Sequence, residues 1–236
     1  MSFIKRTIML AALAAASTMH AQVAASLDTA HLGIPASAFN LKGWKLQIPG
    51  PKEFKDITHY SSDYFFLNKD KEMCFKLDAG EKGATQNAKF VRSELRHLQN
   101  WKVGEDRVLA GEVRVTSHLE PDKVTVLQIH GIMDNGSDAP PLLRIAVQHG
   151  DLYALLKTEN DGEKTESIVL KKGVGTGFFK VEVSVKHAQL KITVDGQVKL
   201  DRSLAYWKFS NYFKAGCYPQ ATKGTAEVFF RSLSVK

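Results

Sequence analysis

Three short stretches carry side chains whose types and spacing could act together. In Arg92-Ser93-Glu94-Leu95-Arg96, the two-residue period of an extended chain puts Arg92, Glu94 and Arg96 on one face and Ser93 and Leu95 on the other. Three charges along a strand do not belong in an apolar core, so this face is expected to look outward. A carboxylate between two guanidiniums fixes their rotamers, and a fixed guanidinium is a planar fork that grips a carboxylate through paired N–H donors. The same pattern also suits a solvated salt-bridge ladder. In Gln128-Ile129-His130, the amide and the imidazole share a face, while Leu127 and Ile129 share the other. An imidazole at a strand end is a candidate proton carrier near neutral pH, and equally a satisfied structural histidine. From Tyr212 to Gln220, one face collects Tyr212, Lys214, Gly216, Tyr218 and Gln220, and the other Phe213, Ala215 and Cys217. Glycine inside a strand marks close approach by a ligand or another backbone, and Pro219 puts this strand's end at an edge or a bulge. An aromatic-rich edge strand with a snorkelling lysine would read the same way.

Bringing three polar faces together calls for a sheet. Period-2 alternation recurs along the chain, while sustained helical periodicity is scarce. Strands are expected at 44–48, 73–77, 90–98, 108–117, 124–130, 142–148, 152–157, 167–170, 179–186, 189–195, 212–220 and 226–235. Turn signals such as Asp134-Asn135-Gly136, His149-Gly150-Asp151 and Asp195-Gly196 separate many of them. Short helices are expected only at Pro35–Phe39 and Ser203–Phe209. The pattern predicts an all-β, antiparallel sandwich or barrel; in a sandwich, the open, curved face of one sheet could form a groove for an extended polymer.

The 236 residues suit one domain, and 44% hydrophobic with 24% charged residues excludes a disordered chain. Lys5 and Arg6, the apolar stretch Thr7–Ala16 and the small residues Ser17, Ala21, Ala24 and Ala25 have the layout of a secretory signal peptide. The expected division is a signal over 1–25, cleaved near 21–25, and a single domain over 26–236, exported to the periplasm or beyond the cell. The chain contains no run of eighteen apolar residues, and no cysteine follows the signal to carry a lipid anchor. The net charge of +7, about +5 without the signal, favours a polyanionic partner. The lysines are dispersed rather than gathered in a patch, which argues against nucleic acid. No metal site is expected from the spacing of His, Asp, Glu and Cys. Export permits a disulfide between Cys74 and Cys217, although both lie in apolar stretches where buried thiols are equally natural.

The motifs RSELR, QIH and YFKAGCYPQ, in this order, resemble the three signature strands of polysaccharide lyase family 7, the alginate lyases. The resemblance runs from Trp44-Lys45-Leu46-Gln47-Ile48-Pro49 to the strand ending at Val235, with Cys217 and Pro219 as mild departures. It implies a concanavalin-like β-jelly roll that cleaves alginate by β-elimination, without a cofactor, as a monomer. By this resemblance Arg92 and Gln128 neutralise the uronate carboxylate, His130 is the general base at C5, and Tyr218 is the general acid at O4 and also a base on mannuronate. Glu94, Arg96, Lys214 and Gln220 are expected to support the centre or shape neighbouring subsites, with Arg144 and Tyr153 as further substrate contacts. Isoleucine at 129 leans towards guluronate-containing blocks.

Two other classes compete. A sandwich-fold glycoside hydrolase needs two carboxylates flanking the bond, and Glu159-Asn160-Asp161-Gly162-Glu163 supplies an acidic cluster. Its Asn and Gly read as a hairpin turn, where the carboxylates would be solvated. A non-catalytic polysaccharide-binding module would use the same basic and aromatic surface, without needing His and Tyr beside a carboxylate clamp.

Overall fold

In a computed structural model, which describes residues 33–50, 52–84, 89–160 and 162–236, the alternating segments form fifteen strands. The expected signal segment lies outside the described residues. The strands are β1 (Trp44–Ile48), β2 (Lys52–Phe54), β3 (Phe65–Leu67), β4 (Met73–Asp78), β5 (Ser93–His97), β6 (Arg107–Glu120), β7 (Lys123–Ile132) and β8 (Asp138–Gln148). They continue as β9 (Asp151–Lys157), β10 (Thr165–Lys171), β11 (Phe179–Lys186), β12 (Gln189–Val194), β13 (Gln197–Ser203), β14 (Ser210–Pro219) and β15 (Lys223–Val235).

Two sheets result. One has eight strands in the order β10-β9-β8-β7-β14-β5-β1-β2, the other seven in the order β13-β12-β11-β6-β15-β4-β3. Neighbouring strands pair antiparallel, as in β7 with β14 and β14 with β5. Inward-facing residues of both sheets, among them Leu46, Leu95, Ile129 and Phe213 from the first and Phe75, Val113 and Phe230 from the second, share one buried core. Burying each leucine or phenylalanine is worth ~1.5–3 kcal/mol, so the alternation itself holds the sandwich closed. Phe75 centres an aromatic cluster, 5.1 Å from Phe65 and 5.6 Å from Phe230 between ring centroids.

The structure departs from expectation where alternation is a poor guide. β3 is wholly buried and shows no alternation, β2 is three residues long, and β13 is a mostly exposed edge strand, so none of the three stands out in the sequence. Ser203–Phe209 is not a helix: β13 ends at Ser203, and one turn, Trp207 N–H to Leu204 O at 2.9 Å, carries the chain to β14. That turn is pinned by the Trp207 indole, which donates to Asn211 Oδ1 at 2.9 Å. Over Pro35–Phe39 only a single 3-10 turn forms, at Pro35–Ser37. Of the two alternatives that Pro219 left, an edge or a bulge, the bulge holds: β14 lies between β7 and β5, and its ladder with β7 is irregular between Ala215 and Tyr218, just before Pro219. Both cysteines are free and buried. Cys217 belongs to the core, whereas Cys74 alternates with the core residues Met73 and Phe75 and so lies on the far side of its sheet.

Candidate active site

The three motif strands are adjacent in the middle of the eight-stranded sheet, in the order β7-β14-β5. Register aligns their polar faces: Lys214 pairs with Gln128 on one side and Arg96 on the other, Tyr212 with His130, and Gly216 with Glu94. Gly216 permits this packing, because a Cβ there would lie 2.5 Å from Ser93 O and 2.7 Å from Glu94 Cα. The close approach is by backbone, one of the two alternatives a strand glycine implies.

Glu94 is the hub. Its side chain is 0% exposed, although it is on the polar face of the sheet, because three motif residues close over it. Lys214 Nζ lies 2.5 Å from Glu94 Oε2, Arg92 Nη1 lies 3.5 Å from the same oxygen, and Gln128 Nε2 donates to Oε1 at 2.5 Å. Burial alone would raise the Glu94 carboxyl, but Lys214 and Arg92 outweigh it and hold the group below its ordinary range. Lys214, 2% exposed, is pushed down to about 8, chiefly by burial and against the pull of Glu94. The lysine is therefore spent within the protein, its ammonium also donating to Gln47 Oε1 at 2.9 Å.

His130 is half-buried at the end of the polar face of β7. Its Nδ1 is 2.9 Å from Gly131 O, and since a carbonyl only accepts, Nδ1 carries the proton and Nε2 holds the lone pair. The ring stacks on Tyr212 at 5.1 Å and 15°. Burial, reinforced by Lys214, pushes the imidazole down to about 4, so it is neutral at pH 7. Burial also raises the Tyr218 phenol, so that it keeps its proton, with Arg92 acting in the opposite sense.

Arg92, Gln128, His130 and Tyr218 line a single cavity of about 260 Å³, together with Pro140, Pro141, Arg144 and Lys157. Arg92 Nε finds no acceptor among the described residues, and its guanidinium lies 4.3 Å from the centroid of the Tyr218 ring. Arg144 pairs in register with Gln128 and adds a second guanidinium to the wall. A larger cavity of about 570 Å³, walled by Phe39, Leu41, Trp44, Lys55 and Leu98 among others, contains none of the four.

The remaining expected residues have other surroundings. Arg96 stacks on Tyr212 at 4.0 Å and donates to His97 O at 3.3 Å and Asn100 Oδ1 at 3.1 Å, which makes it the back of the His130 stack. Gln220 accepts from Thr125 Oγ1 at 2.9 Å and donates to Tyr218 O at 2.5 Å, bracing the strand end that carries Tyr218. Tyr153 stands on β9 opposite Ala146 and Val169 and does not line the cavity. Glu159 is engaged by Lys164 at 2.5 Å and does not line it either. Sequence reasoning passed over Gln47, Tyr212 as the ring beneath His130, and the Pro140, Pro141 and Lys157 wall. Tyr212 was legible as a same-face neighbour, whereas the wall residues carry no motif.

The sequence profile of the alginate lyase family matches residues 39–236. The chain is 27% identical to an alginate lyase of a Photobacterium species, over 98% of this chain and 97% of that one. The solved family 7 alginate lyase A1-II′, in complex with product, superposes with a TM-score of 0.80 at 28% identity, covering 86% of this chain and 99% of that one. An alginate lyase from Pseudomonas aeruginosa gives a TM-score of 0.74 at 26% identity, covering 83% of this chain and 98% of that one. On this likeness, which spans most of its length, the chain belongs to the alginate lyase family, the family 7 polysaccharide lyases.

Proposed function

We propose that the cavity at the centre of the eight-stranded sheet cleaves alginate by β-elimination, with four residues in named roles. The observation that carries this reading is the convergence of Arg92, Gln128, His130 and Tyr218 on one cavity. Alginate as substrate is supported by the A1-II′ complex with substrate (GGMG), whose chain superposes with a TM-score of 0.82 at 27% identity.

The C5 proton of a uronate is hard to remove while the adjoining carboxylate keeps its full charge, because the resulting carbanion is a dianion. Arg92 and the free N–H of Gln128 bind that carboxylate and stabilise the charge as it spreads. One such donor is worth roughly 3 kcal/mol in transition-state stabilisation, so the pair governs the rate. Nε2 of His130 takes the C5 proton. The C5–H electron pair becomes the C4–C5 double bond as the C4–O4 bond breaks, and the Tyr218 phenol gives its proton to O4. The products are a new hydroxyl end and an unsaturated uronate, and proton exchange with water returns His130 to the neutral form and Tyr218 to the phenol. Guluronate and mannuronate are C5 epimers, so one base position does not serve both. On mannuronate Tyr218 first gives its phenol proton to the neutral Nε2 of His130, then takes the C5 proton from the second face and passes it to O4, and His130 returns the borrowed proton. Ile129, wholly buried behind the motif, is the basis for a lean towards guluronate-containing blocks. We place the enzyme outside the cytoplasm, on the strength of the signal-like first 25 residues.

The decisive experiment incubates the protein with polyguluronate and polymannuronate separately and follows ultraviolet absorbance and product size. Rising absorbance, faster on polyguluronate, is the expected result. Binding with no rise in absorbance would refute elimination.

A further inference from the structure

Gln47, on β1, belongs to none of the three motifs. In register it lies beside Glu94 of β5 and Glu53 of β2. Its amide reaches past β5, so that Oε1 accepts from the Lys214 ammonium of β14 at 2.9 Å. The connections then form one line: Gln47 holds Lys214, Lys214 neutralises Glu94, and Glu94 orients Gln128 and Arg92. We infer that Gln47 is a positioning residue that keeps Lys214 charged against Glu94 and thereby sets the alkaline limit of the reaction. This rests on the roles proposed above for Arg92 and Gln128.

The physical argument is one of charge balance. Lys214 and Arg92 together offset Glu94, and Arg92, at 3.5 Å, is the more distant partner. Once Lys214 loses its proton, the Arg92 guanidinium is the cation left on the buried carboxylate and is drawn towards it, away from a substrate carboxylate. An acceptor on the ammonium favours the charged form, and Gln47 supplies one without adding a negative charge. The other charged and titratable groups around Lys214 are Arg96 beside it on β5, His130 on β7, Tyr212 and Tyr218 on its own strand, and Asp138 at the start of β8. Lys45 and Glu53, on β1 and β2, are held to each other at 2.5 Å. Tyr218 is raised above its ordinary value and Tyr212 to about 12, so Lys214, down to about 8, is the first of these to lose a proton on the alkaline side.

The test measures kcat and KM on soluble alginate from neutral to alkaline pH for Gln47→Leu, Gln47→Glu and Lys214→Met. Gln47→Leu is expected to move the alkaline limb of kcat down by about one pH unit, the scale of one hydrogen bond to a charged group. Gln47→Glu keeps an acceptor oxygen and adds charge, so its limb moves up. Lys214→Met removes that limb altogether. A Gln47→Leu limb that coincides with the wild type, or two Gln47 variants that move the same way, overturns the inference. If Gln47→Leu does not fold, Gln47→Glu decides, and a limb that stays put or falls refutes it. Failure of the catalytic reading shows separately, as undiminished turnover in His130→Ala or Tyr218→Phe.

Discussion

The guanidinium of Arg92 lies 4.3 Å over the ring of Tyr218 while its Nη1 faces the Glu94 carboxylate at 3.5 Å. One planar cation thus joins the proposed acid to the buried hub, and only a flat, delocalised group satisfies both contacts. Arg92→Lys keeps the charge and loses the fork and the stack. Its kcat on alginate is expected to fall about 100-fold, the scale for one charge-stabilising donor. Full activity would show that a point charge suffices.

The proposed base and acid are tested by deletion. His130→Ala and Tyr218→Phe should each lower kcat by at least about 100-fold, the usual scale for general acid–base groups. Circular dichroism establishes that each variant is folded. Near-wild-type turnover in a folded variant removes that residue from its role.

The state of His130 gives a pH signature. Burial, aided by Lys214, pushes the imidazole down to about 4, and only the neutral ring accepts a proton. Activity should therefore persist through mildly acidic solution, and kcat/KM should fall as pH drops through about 4. An acid limb at the ordinary histidine value of about 6.5 would contradict the desolvated ring.

Glu94→Gln leaves Lys214, 2% exposed, without its counter-charge. Removing one partner of a buried pair costs about 3–5 kcal/mol, which chemical denaturation would read directly. In the wild type the Glu94 carboxyl lies below its unfolded value, so its contribution to stability is present above roughly pH 4.3 and is lost as pH falls through the depressed folded value. Flat stability of the wild type across that acid window would mean that the carboxylate is less well held than these contacts require.

Gly216→Ala places a methyl group 2.5 Å from Ser93 O and 2.7 Å from Glu94 Cα. Backbone must move to admit it, so a loss of about 1–3 kcal/mol or more is expected, with the Glu94 hub displaced. Thermal unfolding and turnover measured on the same sample would show both effects. An alanine variant as stable and as active as the wild type would mean that β14 and β5 separate freely.

Much of this was legible because strand periodicity tells which residues share a face. Arg92, Gln128, His130 and Tyr218 were each on the expected face, and the motif strands came out as neighbours. What periodicity does not give is the neighbour across the sheet. That Lys214 would spend its charge on Glu94 and Gln47, and that Arg96 would stack on Tyr212 behind His130, depends on the strand order β7-β14-β5-β1. The sequence separation of β1 and β14 hides that order. The place of β14 stays open in the sequence for a related reason: Pro219 signals an edge or a bulge alike, and it is the bulge that holds, a local irregularity in the ladder accommodating it inside the sheet.

β14 begins at residue 210 of 236, yet it fills the slot between β5 and β7, which the ribosome finishes far earlier. Until β14 slides into that gap, the imidazole has no phenol beside it and the glutamate no ammonium. Catalytic competence therefore waits on a strand made well after both of its neighbours, and a product truncated before residue 210 would hold half a reaction centre with nothing to close it.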